Sequence, residues 1–144
     1  MVHIEHCNHI GNNNPGQEQE MIISATGGAQ RFGFPQSILF NVQQDPDSAS
    51  DALAAVINAS SSGDPLWILA AGPMESTWRG LDKALPSKRK YVRVVSHSVP
   101  NNNHNDTPEM THDWDDLKAD FQPDGTQFYM IQDQNITKVS CKIG

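Results

Sequence analysis

The amino-acid sequence predicts an α/β protein: a three-layer structure in which helices cover both faces of a mostly parallel, five-stranded sheet. Short apolar runs alternate with helix-length amphipathic segments along the whole chain. Turn-forming residues separate these segments. Alternation of strands and helices implies right-handed crossovers between parallel strands. The clearest run, residues 65–71, is apolar without polar alternation, which is typical of a strand that is buried on both faces.

The first three segments are predicted to be a strand, a helix and a strand. Residues 2–6 are short and tolerant of the β conformation, and a cluster of Asn, Pro and Gly residues soon follows them. Residues 18–26 contain good helix formers, and Gly27 and Gly28 supply the flexible stop that a helix C-terminus favours. Residues 37–42 form a short apolar run, which favours a buried strand.

A second helix and the most apolar strand occupy the middle of the chain. Asp47 or Ser48 can cap the helix. Apolar residues then recur at intervals of three and four positions, which is typical of an amphipathic helix. The strand at residues 65–71 leads through Gly72-Pro73 into a third helix, predicted at residues 74–85. The N–H groups at such a junction suit an oxygen-rich or anionic ligand, and a plain tight turn is the alternative.

The last part of the chain is predicted to add two strands and a short helix. A strand at residues 91–97 is followed by the longest loop, residues 98–110. The aspartates that precede and begin the next helix, residues 113–121, are explained by capping and by the helix dipole. The fifth strand is placed at residues 128–131, and residues 134–144 form either an added edge strand or a tail.

Length and composition favour one globular domain. The chain has 144 residues, of which 37% are apolar and 19% charged, and domains are most often about 100–150 residues long. We therefore expect residues 1–144 to form a single α/β domain. Cys7 and Cys141 lie near opposite ends of the chain, so they do not form a disulfide framework and are interpreted as free thiols.

Charge and hydropathy argue against two classes of partner. The formal net charge of −7 and the isoelectric point near 5.1 disfavour binding to nucleic acid, which depends on a basic surface. No apolar run approaches the ~20 residues that span a bilayer, and the N-terminal sequence does not resemble a signal peptide. We expect a cytoplasmic protein without a membrane partner; secretion after removal of a leader is the alternative.

Three histidines near the N-terminus resemble a metal cluster only superficially. His3, His6 and His9 are three positions apart, with Cys7 among them. In a strand His3 and His6 face opposite ways, and a helix needs histidines four positions apart to place them on one face. We therefore expect no resident metal or cofactor, and calcium or another divalent ion is the alternative.

Polar residues follow nearly every predicted strand. Because parallel strands end at one common edge, these residues should meet there, and ligands usually bind at such an edge. Amides, hydroxyls and imidazoles that donate and accept hydrogen bonds suit a ligand with several hydroxyl groups. The predicted ligand-binding residues are Asn8, His9, Asn41, Gly72, Ser98, Asn101, Asn103, His104 and Asn135.

Residues 51–98 resemble the nucleoside hydrolase-like superfamily. The match consists of a helix (residues 52–58), an apolar strand with a Gly-Pro turn (residues 65–74) and a second strand that ends in a polar loop (residues 91–98). The resemblance implies a Rossmann-like fold. The family's N-terminal aspartate cluster, which holds calcium, has no counterpart here, and Met74-Glu-Ser-Thr77 replaces the Leu-Thr-Asn that usually closes the turn.

The resemblance and the polar edge together favour a hydrolase that acts on a glycosidic or N-glycosidic bond of a small sugar-containing ligand. Asp133 and His97 are then expected to act as the catalytic acid and base. The alternative is a non-catalytic module that binds a nucleoside, nucleotide or sugar, or that regulates a partner. Assembly into a homo-oligomer is compatible with both hypotheses.

Overall fold

The computed structural model describes residues 1–6, 10–11, 14–96 and 107–131. Strands and helices alternate in the predicted order along these segments. The elements are β1 (Ile4–His6), α1 (Pro15–Phe32), a short 3-10 helix (Gln36–Ile38), β2 (Leu39–Asn41), α2 (Pro46–Ala59), β3 (Leu66–Ala70), α3 (Glu75–Lys83), α4 (Pro86–Arg89), β4 (Val92–Ser96), α5 (Trp114–Phe121) and β5 (Gln127–Met130). The α/β class is therefore confirmed, whereas residues 134–144, predicted as an edge strand or tail, lie outside the described part.

The strands form two parallel sheets. β1 pairs with β2, and β4 pairs with β3 on one side and with β5 on the other. The predicted single five-stranded sheet is wrong for the described residues, because β1 and β2 have three residues each and pair only with one another. Residues of β1 and of β3 line a common cleft.

One face of the β3–β4–β5 sheet packs on helices. Buried side chains of α2, α3 and α5 meet those of the three strands in one core, in which Leu81, Val92, Val94 and Leu117 are fully buried. On the opposite face Trp67, Leu69 and Tyr129 remain exposed. On the β3–β4–β5 sheet the helices of this core therefore lie on one face only, whereas α1, which contacts β1 and β2, is not part of this core.

α1 runs through the two glycines that were expected to end it. Asn14 caps its start by accepting hydrogen bonds from the N–H groups of Gly16 and Gln17. The helix ends at Gly33, which has a left-handed φ of 73°. Glycine in a helix costs about 1 kcal/mol but does not forbid helical geometry, so the left-handed residue rather than Gly27-Gly28 sets the end.

α2 and α3 pack closely against each other. α2 begins at Pro46, because its cap is Asp45 rather than the predicted Asp47 or Ser48: the Asp45 carboxylate accepts a hydrogen bond from the N–H group of Ser48 at 2.9 Å. At Gly80 in α3, an added Cβ would lie 2.5 Å from a methyl group of Leu53 in α2. The close approach of the two helices therefore depends on glycine at this position.

α5 begins as the sequence predicts. Asp113 accepts hydrogen bonds from the N–H groups of Asp115 and Asp116, and the Asp116 carboxylate accepts one from the N–H group of Asp113. This reciprocal arrangement is a capping box. The aspartates at this position are therefore engaged in capping the helix. Across all the helices that the structure describes, none is long and apolar enough to cross a membrane.

Candidate functional site

The carboxyl ends of β3, β4 and β5 lie at one edge of the three-stranded sheet. Ala70 is the register partner of Ser96, and Ser96 is the register partner of Met130. Because all three strands run parallel, as predicted, the segments that follow them leave from this same edge. We call this edge the carboxyl edge of the sheet.

Most of the predicted site residues lie outside the described residues. They are the two predicted catalytic residues, His97 and Asp133, and the ligand-binding residues Asn8, His9, Ser98, Asn101, Asn103, His104 and Asn135. In the sequence His97 follows Ser96 of β4 directly, and Asp133 comes shortly after Met130 of β5. Their roles remain predictions.

The structure describes the other two predicted ligand contacts, Asn41 and Gly72. Gly72 follows β3 and lines the cleft between β1 and β3. Asn41 ends β2 in the other sheet, where its side-chain oxygen accepts hydrogen bonds from the N–H groups of Gln43 and Gln44 at 3.1 and 3.2 Å. Its amide nitrogen donates to the carboxylate of Glu18 at 2.8 Å. The polar atoms of Asn41 are therefore engaged in closing a turn and joining it to α1.

The cleft between β1 and β3 has a volume of about 800 Å³. Its walls come from the N-terminal segment on one side and from β3 with the start of α3 on the other. The polar side chains that line it are His3, Glu5, Glu75, Ser76 and Thr77. Apolar side chains line most of the rest, so the cleft combines a hydrophobic wall with a few polar groups, as small-molecule sites commonly do.

Glu75, the first residue of α3, is almost fully buried, with 2% of its surface exposed. One carboxylate oxygen accepts a hydrogen bond from Nε of Arg79 at 2.7 Å. The other oxygen accepts from the N–H groups of Thr111 and His112 at 2.9 and 3.1 Å, and it lies 2.9 Å from Nδ1 of His112. Glu75 thus attaches the segment before α5 to the start of α3.

Burial would raise the pKa of Glu75, but the hydrogen bonds to its carboxylate outweigh that effect. The guanidinium of Arg79, the N–H group of Thr111 and the side chain of His112 stabilise the charged form and hold the pKa below the usual glutamate value. A carboxylate that is charged, buried and fully hydrogen-bonded is not a free general acid or base. Glu75 is therefore a structural anchor at the rim of the cleft.

His112 and Trp78 extend this anchor. Their rings stack nearly parallel, with centroids 3.5 Å apart and an angle of 5° between the planes. The indole N–H of Trp78 donates to the carboxylate of Asp120 at 2.8 Å. α3 is therefore joined both to the segment that precedes α5 and to α5 itself.

His3 and Glu5 form a pair on the opposite wall of the cleft. Nε2 of His3 lies 3.1 Å from a carboxylate oxygen of Glu5, and the imidazole stacks on Phe40 at 4.5 Å. Nδ1 of His3 is buried and has no hydrogen-bond partner among the described residues. The stacking holds the imidazole against β2, which fits a packing role.

The structure also bears on the histidine cluster near the N-terminus. His9 and Cys7 lie outside the described residues, and His3 is paired with Glu5. Within residues 1–6, 10–11, 14–96 and 107–131, no group of three or more His, Cys, Asp or Glu side chains is arranged to hold a metal ion.

Sequence reasoning missed Glu75 and His112. A signal for Glu75 was present, since Arg79 follows it by one helical turn and acidic residues are favoured in the first turn of a helix. No local pattern identifies His112, because it meets Glu75 only through the tertiary fold. Contacts between residues far apart in the chain are invisible to spacing rules.

Comparison with known proteins gives one informative similarity. The chain is 31% identical to "Uncharacterized protein P22" of Formosa agariphila over 144 residues. This match covers 94% of the chain and 50% of the relative, so the chain spans about half the length of the curated relative that it matches. No family model matches the chain, and no solved structure matches it.

Proposed function

We propose that the protein is a hydrolase that cleaves a glycosidic or N-glycosidic bond of a small sugar-containing ligand at the carboxyl edge of β3, β4 and β5. One observation carries this proposal: Ser96 and Met130 are register partners on adjacent parallel strands. The predicted catalytic residues follow them closely in sequence, His97 after Ser96 and Asp133 after Met130. The described residues that precede them, Ser96 and Met130, therefore lie side by side at one edge of the sheet.

The chemistry assigned to these residues is general acid and base catalysis. Asp133 and His97 exchange protons with the leaving group and with the attacking water. Amide and hydroxyl side chains from the strand ends hold the sugar hydroxyls, and the turn at Gly72 contributes backbone groups beside the cleft. Two cysteines far apart in sequence are consistent with a reducing compartment, so we place this activity in the cytoplasm.

A second function is the binding of a nucleoside, nucleotide or sugar without catalysis. It is supported by the hydrogen bonds that already occupy the carboxylate of Glu75. Most glycosidases use two carboxyl groups that flank the bond. Glu75 lies at the start of the helix after β3, but its carboxylate is buried and accepts several internal hydrogen bonds. It does not supply the second catalytic carboxyl group.

Turnover by purified protein tests the hydrolase proposal. Nucleosides and oligosaccharides are incubated with the protein, with and without calcium, and released sugar is measured. We expect Asp133→Asn to lower the rate by about 100-fold or more, the range of general acid and base catalysis. The matched control is Asp64→Asn, at an exposed position after α2. Absence of turnover on every substrate, or equal rates for the two variants, contradicts the proposal.

A thermal-shift measurement distinguishes the two functions. A ligand that binds only the folded state raises the melting temperature whether or not it is converted. Stabilisation by a nucleoside or sugar that is recovered unchanged after incubation supports binding without catalysis. Stabilisation accompanied by release of free sugar supports the hydrolase.

A further inference from the structure

One face of the β3–β4–β5 sheet is apolar and open. Trp67, Leu69 and Tyr129 are 59%, 67% and 43% exposed. Trp67 is the register partner of Arg93, and Val95 is the register partner of both Leu69 and Tyr129. These five side chains project from the same side of the sheet, since register partners share a face. They define what we call the bare face.

The bare face carries an aromatic pair with a cation beside it. The rings of Trp67 and Tyr129 lie 5.9 Å apart at an angle of 26°, so they meet above the middle strand. The guanidinium carbon of Arg93 lies 5.3 Å from the centre of the Trp67 ring. Among the described residues, the ion pairs involve other side chains and leave Arg93 without a carboxylate partner. Gln127, the register partner of Arg93, lies on the same face and accepts a hydrogen bond from the Tyr129 hydroxyl at 2.7 Å. The surface is therefore mostly apolar, with one positive charge and one amide.

A parallel sheet normally has helices on both faces. The core side of this sheet packs on α2, α3 and α5. On the bare face Trp67 and Leu69 line the cleft that also reaches the N-terminal segment and Met21 of α1, and both side chains stay largely exposed. β3 is also apolar on both sides, since Ile68 faces the core while Trp67 and Leu69 face outward. This composition fits a strand whose second face is covered as well.

The size of the bare face limits what can cover it. Three strands about 4.8 Å apart and five residues of about 3.3 Å each make a surface of roughly 14 by 17 Å, or about 240 Å². A stable complex of two separate proteins uses about 20–30 residues on each partner, several times more than the bare face provides. One helix, about 10 Å wide, fits this surface.

We propose that the bare face is the docking surface for one amphipathic helix, which carries a carboxylate opposite Arg93 and belongs to the same, longer polypeptide. The chain spans only about half of the relative from Formosa agariphila, so a related polypeptide has the length to supply such a helix. Covalent attachment compensates for the small area, because a linked segment is present at an effective concentration of about millimolar. The proposal does not depend on the catalytic one.

The first test combines the mass of the endogenous protein with oxidative footprinting. The intact mass is compared with the 15.9 kDa of the 144 residues. Hydroxyl-radical oxidation of Trp67 and Tyr129 is then measured in the endogenous protein and in the 144-residue chain. We expect a larger mass and about tenfold less oxidation of both residues in the longer protein, because a packed side chain reacts only when the structure opens. Phe32, which is exposed at the end of α1, serves as the internal reference.

The second test concerns the charge. In the longer protein, Arg93→Glu should restore most of the oxidation of Trp67, because two carboxylates then face each other. Arg31→Glu makes the same change of charge on the exposed side of α1 and should leave Trp67 protected. The proposal is overturned by an endogenous mass of 15.9 kDa, by equal oxidation of Trp67 in both proteins, by protection that appears only at high protein concentration, or by equal effects of the two substitutions.

Discussion

At the start of α3, a buried carboxylate joins two segments that are distant in sequence. Glu75 accepts hydrogen bonds from Arg79 within its own helix and from Thr111 and His112 before α5. Removing one partner of such a buried network leaves donors without acceptors, which costs more than the net contribution of the bonds. Glu75 therefore matters for stability at the rim of the cleft.

We expect Glu75→Gln to lower the free energy of unfolding by about 2–3 kcal/mol, because the neutral amide loses the charged hydrogen bond to Arg79 and cannot accept every N–H group that surrounds it. Denaturant unfolding at neutral pH measures the change. Glu20→Gln, at an exposed position of α1, is the control and should stay within about 0.5 kcal/mol of the parent. Equal stability of the two variants would contradict the anchoring role.

The same carboxylate predicts how stability depends on pH. The folded pKa of Glu75 is below the usual value of about 4.5, so the folded state binds fewer protons than the unfolded state. Its contribution is fully present above about pH 4.5 and is lost as the pH falls through the lowered folded pKa. We expect the free energy of unfolding, measured between neutral pH and about pH 3, to fall more steeply with decreasing pH for the parent than for Glu75→Gln. Parallel curves would contradict this assignment.

Among the elements, α1 shows how a weak signal misplaces a helix end. Gly27 and Gly28 lie inside the helix, and an added Cβ at either position meets nothing within 4 Å. Gly33 is different, because its φ of 73° is unfavourable for any residue with a side chain. The two kinds of glycine therefore respond in opposite directions to the same substitution.

We expect Gly27→Ala to stabilise the protein by about 0.5–1 kcal/mol, since alanine loses less backbone entropy in a helix. Gly33→Ala should destabilise it by about 1 kcal/mol, because alanine must adopt the left-handed conformation. Thermal unfolding of the two variants side by side measures both effects. If both substitutions shift the melting temperature in the same direction, Gly33 does not end the helix as described.

The contact between α2 and α3 gives a prediction about packing. Gly80→Ala places a methyl group against Leu53 and should cost about 1–3 kcal/mol through overpacking. Leu53→Ala should cost about 2–5 kcal/mol by opening a cavity. In the double variant the new methyl group occupies part of that cavity, so the combined cost should be smaller than the sum. Additive costs, measured by denaturant unfolding, would show that the two side chains do not share this space.

At the scale of the whole molecule, the described residues form two cores of unequal size. The larger core joins β3, β4 and β5 to α2, α3 and α5. The smaller one consists of Ile10, Val42 and Ala49 with Phe40 packed against them. Because stability within a protein follows the local density of buried contacts, the β1–β2 sheet should open more easily than the larger sheet.

Native-state hydrogen exchange tests this difference. Backbone amides that hydrogen-bond β4 to its neighbouring strands should exchange only through global unfolding. For amides that hydrogen-bond β1 to β2, the free energy of opening should be lower than that of global unfolding by roughly 2 kcal/mol or more. Val94 and Phe40, in the middle of their strands, are suitable reporters. Equal protection of the two sheets would show that they unfold as one unit.

The sequence predicts individual elements better than their assembly. Residues 65–71 were recognised as a strand because their apolar run is short and uninterrupted, and α5 because Asp113 begins a capping box. The division into two sheets could not be predicted, since pairing partners such as Ile4 and Leu39 are chosen by tertiary contacts. The same limit applies to the site, where the contact of Glu75 with His112 leaves no local pattern.

Every strand pair in the described structure is parallel, and this has a consequence for how fast the protein folds. Partners such as Leu66 and Val92 are separated in sequence by at least one whole helix, so the chain must close a long loop before any ladder bond forms. Proteins dominated by such distant pairings fold on the order of milliseconds to seconds rather than microseconds. During that interval the apolar strand Leu66–Ala70 is unpaired, which makes it the segment where association between unfolded chains should begin.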